Sequence, residues 1–349
     1  MTRCAMSIAV SLLFCAMGFS AEQTKALRLP AGVQSPSPIA AKTAPAETEP
    51  RDSRFSLPEK KGALQIALGG LRVRKSMLAP DGSYLEVSAS RGPIMARIFL
   101  KSTLKAATAT ACRDVMWQEE QKTFDKMGAK LESVALSSGG PMAVVEYRLP
   151  SYQDKPLNLK AVRAYLAGGD LCAEVHLAAN DGPENVAPMK AILSSTRMLP
   201  DYSPGTIDDM RFGNVAYRAQ EYKQAAAYYQ HALDASGSDK ELGPILWRIM
   251  IDQLGISYSL TGELARSKQV LEFGISRDPH YPMFYYNLAC ADAQSDDLSG
   301  TLFNLAKAFD NRRNIIPGEL MPDPRKDESF QKFASNERFQ ELVRSLKLD

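Results

Sequence analysis

Residues 248–281 read RIMIDQLGISYSLTGELARSKQVLEFGISRDPHY, and residues 282–315 read PMFYYNLACADAQSDDLSGTLFNLAKAFDNRRNI. Superposed at a spacing of 34 residues, Leu254 falls on Leu288, Gly255 on Ala289, Leu264 on Leu298, Leu271 on Leu305 and Gly274 on Ala308. A fixed period of this length marks a stacked repeat, in which each unit buries its apolar face against its neighbours. Within a unit the apolar residues recur at helical spacing, and a turn residue such as Gly262 divides it into two helices. Small residues alternate with large ones because helices that approach closely need little side-chain bulk where they cross.

An earlier stretch, starting at Thr206, puts Phe212, Gly213, Tyr222, Ala225, Tyr229, Ala232 and Leu233 in the same phase. Phe212 lies 42 residues before Leu254 rather than 34, so an insertion of 8 residues is expected around positions 236–244. The pattern resembles the tetratricopeptide family, whose unit is a helix-turn-helix hairpin followed by a proline, here Pro279. The resemblance covers about residues 206–315 and implies three units, 206–239, 248–281 and 282–315. The chain departs from the family at Asp292, which replaces a first-helix aromatic, and in the last unit, which no proline closes.

The family's first helices line a concave face that holds a protein or peptide partner. The resemblance assigns to that face Asn214, Tyr217 and Arg218, then Asp252, Ile256 and Ser259, then Tyr286, Asn287 and Cys290. Each of these positions, taken singly, also suits an ordinary solvated helix face. Asn214 stands where some members place an asparagine that joins lysines to clamp a terminal carboxylate, while Met210 occupies the position of a basic residue. Beyond the third unit, residues 316–349 contain two short helical stretches, 327–333 and 336–346, with Phe330, Phe333, Phe339, Leu342, Val343 and Leu346 available to seal the array.

Upstream, between residues 54 and 200, the apolar period shortens to that of strands. Strand candidates are 63–68, 84–88, 94–100, 131–136, 143–149, 157–166 and 171–177, with turn signals such as Pro80-Asp81-Gly82 and Gly168-Gly169-Asp170 between them. Helices are expected over 106–127, with Cys112, Met116, Phe124 and Met127 on one stripe, and over 187–198. Few crossover helices favour an antiparallel sheet with covering helices, so the fold class is α+β followed by an all-α repeat array. The order of elements in this middle domain resembles the PsbP-type α/β sandwich.

Across 171–177, Leu171, Ala173, Val175 and Leu177 alternate with Cys172, Glu174 and His176, which reads as a half-buried strand. The second set offers metal-ligand types, but neighbours on one strand face diverge too little to wrap a tetrahedral ion, so no metal or cofactor is expected. Cys172 has another use. In an oxidising compartment it could bridge to Cys112, closing a loop worth about 4 kcal/mol, provided that the first helix covers its face; two separate thiols are the alternative.

The first 20 residues carry Arg3, an apolar run and small residues at Gly18 and Ser20, the layout of a secretory leader cleaved after Ser20, with an uncleaved membrane anchor as the alternative. Residues 21–53, with Pro30, Pro36, Pro38, Pro45 and Pro50, are expected to form a disordered tether. With 42 basic and 40 acidic residues the chain has no charge excess suited to nucleic acid. No phosphate loop, zinc-protease helix, nucleophile elbow or dinucleotide fingerprint occurs. Ser102 and Lys105 form an isolated S-x-x-K pair, and His176, His231 and His280 are scattered. The sequence therefore points to an exported, periplasmic or secreted, non-enzymatic scaffold for a protein or peptide partner, with a bacterial envelope favoured. The alternative is a small-molecule or polysaccharide binder with its site in the middle domain, and an envelope enzyme ranks third.

Overall fold

The computed structural model describes residues 53–103, 108–152, 155–236 and 242–346. The leader, nearly all of the tether and Lys105 lie outside the described residues. The chain divides between Pro204 and Gly205 into two compact units. Among the described residues no helix is long and apolar enough to cross a membrane.

In the first unit β1 (Ser53–Ser56), β2 (Ala63–Ile66) and β10 (Arg197–Leu199) form a small sheet in the order β1-β2-β10. The larger sheet contains β3 (Arg72–Leu78), β4 (Tyr84–Arg91), β5 (Ile94–Ser102), β6 (Glu132–Gly139), β7 (Met142–Tyr152), β8 (Lys155–Gly168) and β9 (Leu171–Asn180), in the order β3-β4-β5-β9-β8-β7-β6. Every pairing is antiparallel. Two meanders are joined by α1 (Ala109–Met127), so the chain crosses from β5 to the opposite edge at β6 and returns to pair β9 with β5. The turn between β8 and β9 needs Gly169, whose φ of +61° is left-handed and whose missing Cβ leaves room for the Lys61 carbonyl.

Strand β9 is buried on both faces rather than half-buried. One face meets apolar neighbours, and α1 covers the other. Of the expected stripe Cys112 and Phe124 are buried and Met116 and Met127 half-buried, and the stripe is broader than expected because Trp117, Glu120 and Thr123 are buried too. Beneath it, Cys112 and Cys172 are disulfide-bonded across a sequence separation of 60 residues, with Cα atoms 5.8 Å apart. Glu174 is engaged by Arg163, a fully buried guanidinium whose Nη2 also donates to Glu120 Oε2 at 3.1 Å. Burial opposes the Arg163 cation, but the Glu120 and Glu174 carboxylates leave its pKa well above the usual arginine value. His176 faces the Tyr147 hydroxyl at 3.3 Å, and burial beside Arg163 and Arg97 drives its pKa well below the ordinary histidine range. The three residues with metal-ligand chemistry thus have a disulfide, an ion pair and a neutral imidazole contact instead.

The second helix, α2 (Pro183–Ser194), starts and ends earlier than the expected 187–198. Pro183 occupies the first turn, where a missing N–H costs nothing, and the residues from Arg197 are drawn into pairing with β2. Strands β1, β3 and β10 were not foreseen. Two of them are short, and β3 reads RVRKSML, an exposed edge without apolar alternation.

In the second unit α3 (Thr206–Arg218) pairs with α4 (Tyr222–Ser236), α5 (Gly243–Leu260) with α6 (Leu264–Arg277), and α7 (Pro282–Gln294) with α8 (Leu298–Asp310). The first helices also touch one another in series, α3 with α5 and α5 with α7. The small residues sit at the crossings. A Cβ on Gly213 would meet the Tyr229 ring at 2.5 Å, one on Gly255 the Leu271 side chain at 2.7 Å, and one on Gly274 Ile251 at 2.9 Å. The inserted residues are spent partly on α5, which has 18 residues against 13 in α3 and α7. Its extra turn carries Trp247, buried edge-on against Phe284 at 5.8 Å. The last segment contains a short 3-10 turn (Glu328–Phe333) capped by Asp327 and α9 (Glu337–Ser345) capped by Asn336. Phe330, Phe339 and Val343 join the array's apolar core.

Candidate partner-binding groove

The face shared by α3, α5 and α7 carries the nine groove candidates, and they separate into two groups. Around α3 and α5 the face is partly open. Asn214 is half-buried, and its Oδ1 accepts from the Tyr229 hydroxyl at 2.8 Å, a hydroxyl that also reaches Gln253. Asn214 is therefore held by its own array, with Met210 buried nearby in the same helix. Tyr217 is half-buried and meets the Tyr222 ring edge-on at 5.4 Å, and Arg218 is exposed. On α5, Ile256 and Ser259 are half-buried, and Ser259 Oγ is enclosed without a hydrogen-bond partner among the described residues.

Around α5 and α7 the face is closed. Asp252 is buried and accepts a hydrogen bond from Asn287 Nδ2. Burial, helped by the nearby Glu319 carboxyl and opposed by the Asn287 bond, pushes the Asp252 pKa up to about 8. Tyr286 is only 1% exposed, and its hydroxyl donates to Asp327 Oδ2 at 2.9 Å. Cys290 is a free, half-buried cysteine whose thiol pKa is raised well above its usual value by desolvation and by Asp327, leaving it protonated and unreactive.

The cover is the chain itself. After α8, residues 316–327 form neither helix nor strand and run back across α7. Ile316 is buried, the Tyr281 hydroxyl donates to Glu319 Oε2 at 2.9 Å, and Phe330 packs edge-on against Tyr286 at 5.8 Å with no exposed surface. Helix α7 is consequently buried on nearly every side, whereas an array helix normally keeps one polar face in water. Sequence reasoning placed Phe330 at the end of the array but missed Tyr281, Glu319 and Asp327 as groove residues. The available signal was Pro317, Pro322 and Pro324, which exclude a helix there, combined with acidic residues that lack a cationic partner in phase.

Chemically, this surface offers phenolic donors, carboxyl acceptors and an aromatic floor, which suit an extended polypeptide. The fold and this face together define a protein with an antiparallel α+β unit followed by stacked helical hairpins. Neither a family model nor a curated protein sequence matches the chain. Among solved structures it is similar to the Sgt2 TPR domain from Aspergillus fumigatus, with TM-score 0.30 and 18% identity over 40% of this chain and 80% of that one. It is also similar to PcrH from Pseudomonas aeruginosa, with TM-score 0.28 and 16% identity over 40% of this chain and 90% of that one. A third likeness is to cyanobacterial PsbP (CyanoP) from Synechocystis sp. PCC 6803, with TM-score 0.32 and 12% identity over 49% of this chain and 99% of that one.

Proposed function

We propose that this chain is an exported, non-enzymatic adaptor that docks an extended segment of a partner protein on the first-helix face of its array. The observation that carries the reading is the series α3, α5, α7, the first helices of successive hairpins touching one another in turn, with Tyr217, Arg218, Ile256 and Ser259 at least partly accessible. Export is supported by the layout of residues 1–20 and by the Cys112–Cys172 bridge, since disulfides persist in oxidising compartments. The test is affinity capture with the full chain, with Tyr217→Ala/Ile256→Arg as the matched control. A partner retained by the wild type and lost from the control, at equal thermal stability, supports the reading; no difference between the two overturns it.

A second reading rests on a cleft of ≈ 280 Å³ in the first unit, lined by Ala67, Leu71, Ile94, Ile192 and the Arg91 side chain. An apolar slot with one guanidinium suits a small organic anion. Loss of a ligand on Arg91→Gln, with the groove control still binding it, would favour this reading over docking.

A further inference from the structure

The closed half of the groove is occupied by a segment with a definite chemical pattern. Its anchors are an apolar side chain, Ile316, then the carboxylate of Glu319, the carboxylate of Asp327 and the ring of Phe330. They are met by Tyr281, which precedes α7, and by Tyr286 on it, and the Cys290 thiol lies close to Asp327 and Ser329. Between Ile316 and Asp327 the backbone forms neither helix nor strand, and Leu320 is 77% exposed, so this stretch touches the array at points before the 3-10 turn that carries Phe330. Two phenolic hydroxyls donating to two carboxylates fix the place of both acidic side chains, a pattern that a second segment with the same spacing of carboxylates could satisfy.

We propose that residues 316–330 are an internal occupant of the groove, and that a partner displaces them with an acidic, extended segment carrying two carboxylates and a following aromatic ring. The inference rests on the docking reading above and supplies its partner class and its regulation. While the segment is seated, Tyr281, Tyr286 and Asp252 are shut off from the partner, and only the α3–α5 half is available. When it leaves, two phenolic donors and the pocket of Phe330 become vacant together.

The test uses the full chain and a fluorescein-labelled peptide with the sequence of residues 315–333. The release variant is Glu319→Gln/Asp327→Asn, which keeps both side-chain shapes. It is expected to bind the peptide at least about tenfold more tightly than the wild type, because apparent affinity scales with the fraction of grooves left open. Peptides with glutamine and asparagine in place of Glu319 and Asp327, or with alanine in place of Phe330, should not bind it. Equal binding by wild type and release variant, or no binding by a folded release variant, overturns the proposal. Hydrogen exchange on Tyr281→Phe/Tyr286→Phe covers the case in which the release variant loses helical signal. Faster exchange across 319–330 with α7 still protected supports displacement, and simultaneous loss of protection in α7 overturns it by making the segment a fixed cap. Failure here with a positive affinity capture leaves docking on the α3–α5 half intact. Peptide binding without any captured partner would remove the docking reading and leave the internal contact.

Discussion

Asp252 shows how one side chain connects the groove to the stability of the array. Its folded pKa of about 8 lies far above the ordinary aspartate value of 3.8, so the folded state keeps a proton that the unfolded chain gives up. The sign follows from linkage: this contribution is complete below about pH 4 and is lost as pH rises through about 8, at up to about 1.4 kcal/mol per pH unit. Asp252→Asn is expected to match the wild type near pH 4 and to be the more stable protein at pH 9, as read from the Trp247 emission in urea titrations; equal stability at pH 9 would contradict the buried carboxyl. Arg163 makes the opposite case. It is fully buried between two carboxylates, and Arg163→Met would strand both, a loss of about 3–5 kcal/mol. Part of that loss should return as the pH falls, because burial raises the Glu174 pKa and a protonated Glu174 no longer needs the cation. Neither residue was legible as a structural centre beforehand, because charged side chains break the apolar periodicity by which buried faces are recognised.

At the scale of elements, the hairpins were readable because their packing imposes a rule on sequence. Gly213, Gly255 and Gly274 each stand where a Cβ would strike a neighbouring helix, and small residues at such places, Gly255 with Ala289 and Gly274 with Ala308, mark the 34-residue period. Gly213→Val should therefore destabilise the array by about 2 kcal/mol, overpacking outweighing the helix-propensity gain of under about 1 kcal/mol. Ala235→Val, on an exposed face of α4, should change it by less than about 0.5 kcal/mol. Strands β4, β5, β7, β8 and β9 were legible for a similar reason, since alternation records burial on one face. Strand β9 also shows the limit of that signal: its second face carries Cys172, Glu174 and His176 and looked solvated, yet α1 covers it. The partners of residues 316–330 were not legible beyond the prolines that exclude a helix there, because the contacts join Tyr281 to Glu319 and Tyr286 to Asp327 at separations of 38 and 41 residues without any period.

Over the whole molecule, the two compact units can be followed separately, since Trp117 and Trp247 are the chain's two tryptophans and lie one in each. Reduction, or Cys112→Ser/Cys172→Ser, should lower the stability reported by Trp117 by about 4 kcal/mol, the loop-closure value for a bridge of this span. In a Trp247→Phe background the loss appears as an earlier urea midpoint; an unchanged midpoint would show that α1 holds its sheet without the bridge. The docking role rests on the helical face, and a photoreactive side chain placed at position 256 of the full chain interrogates it most directly. The account predicts a specific adduct from position 256, diminished by excess peptide of sequence 315–333 in the release variant, and none from position 303 on the far helix α8. Adducts of equal yield from both positions would contradict it.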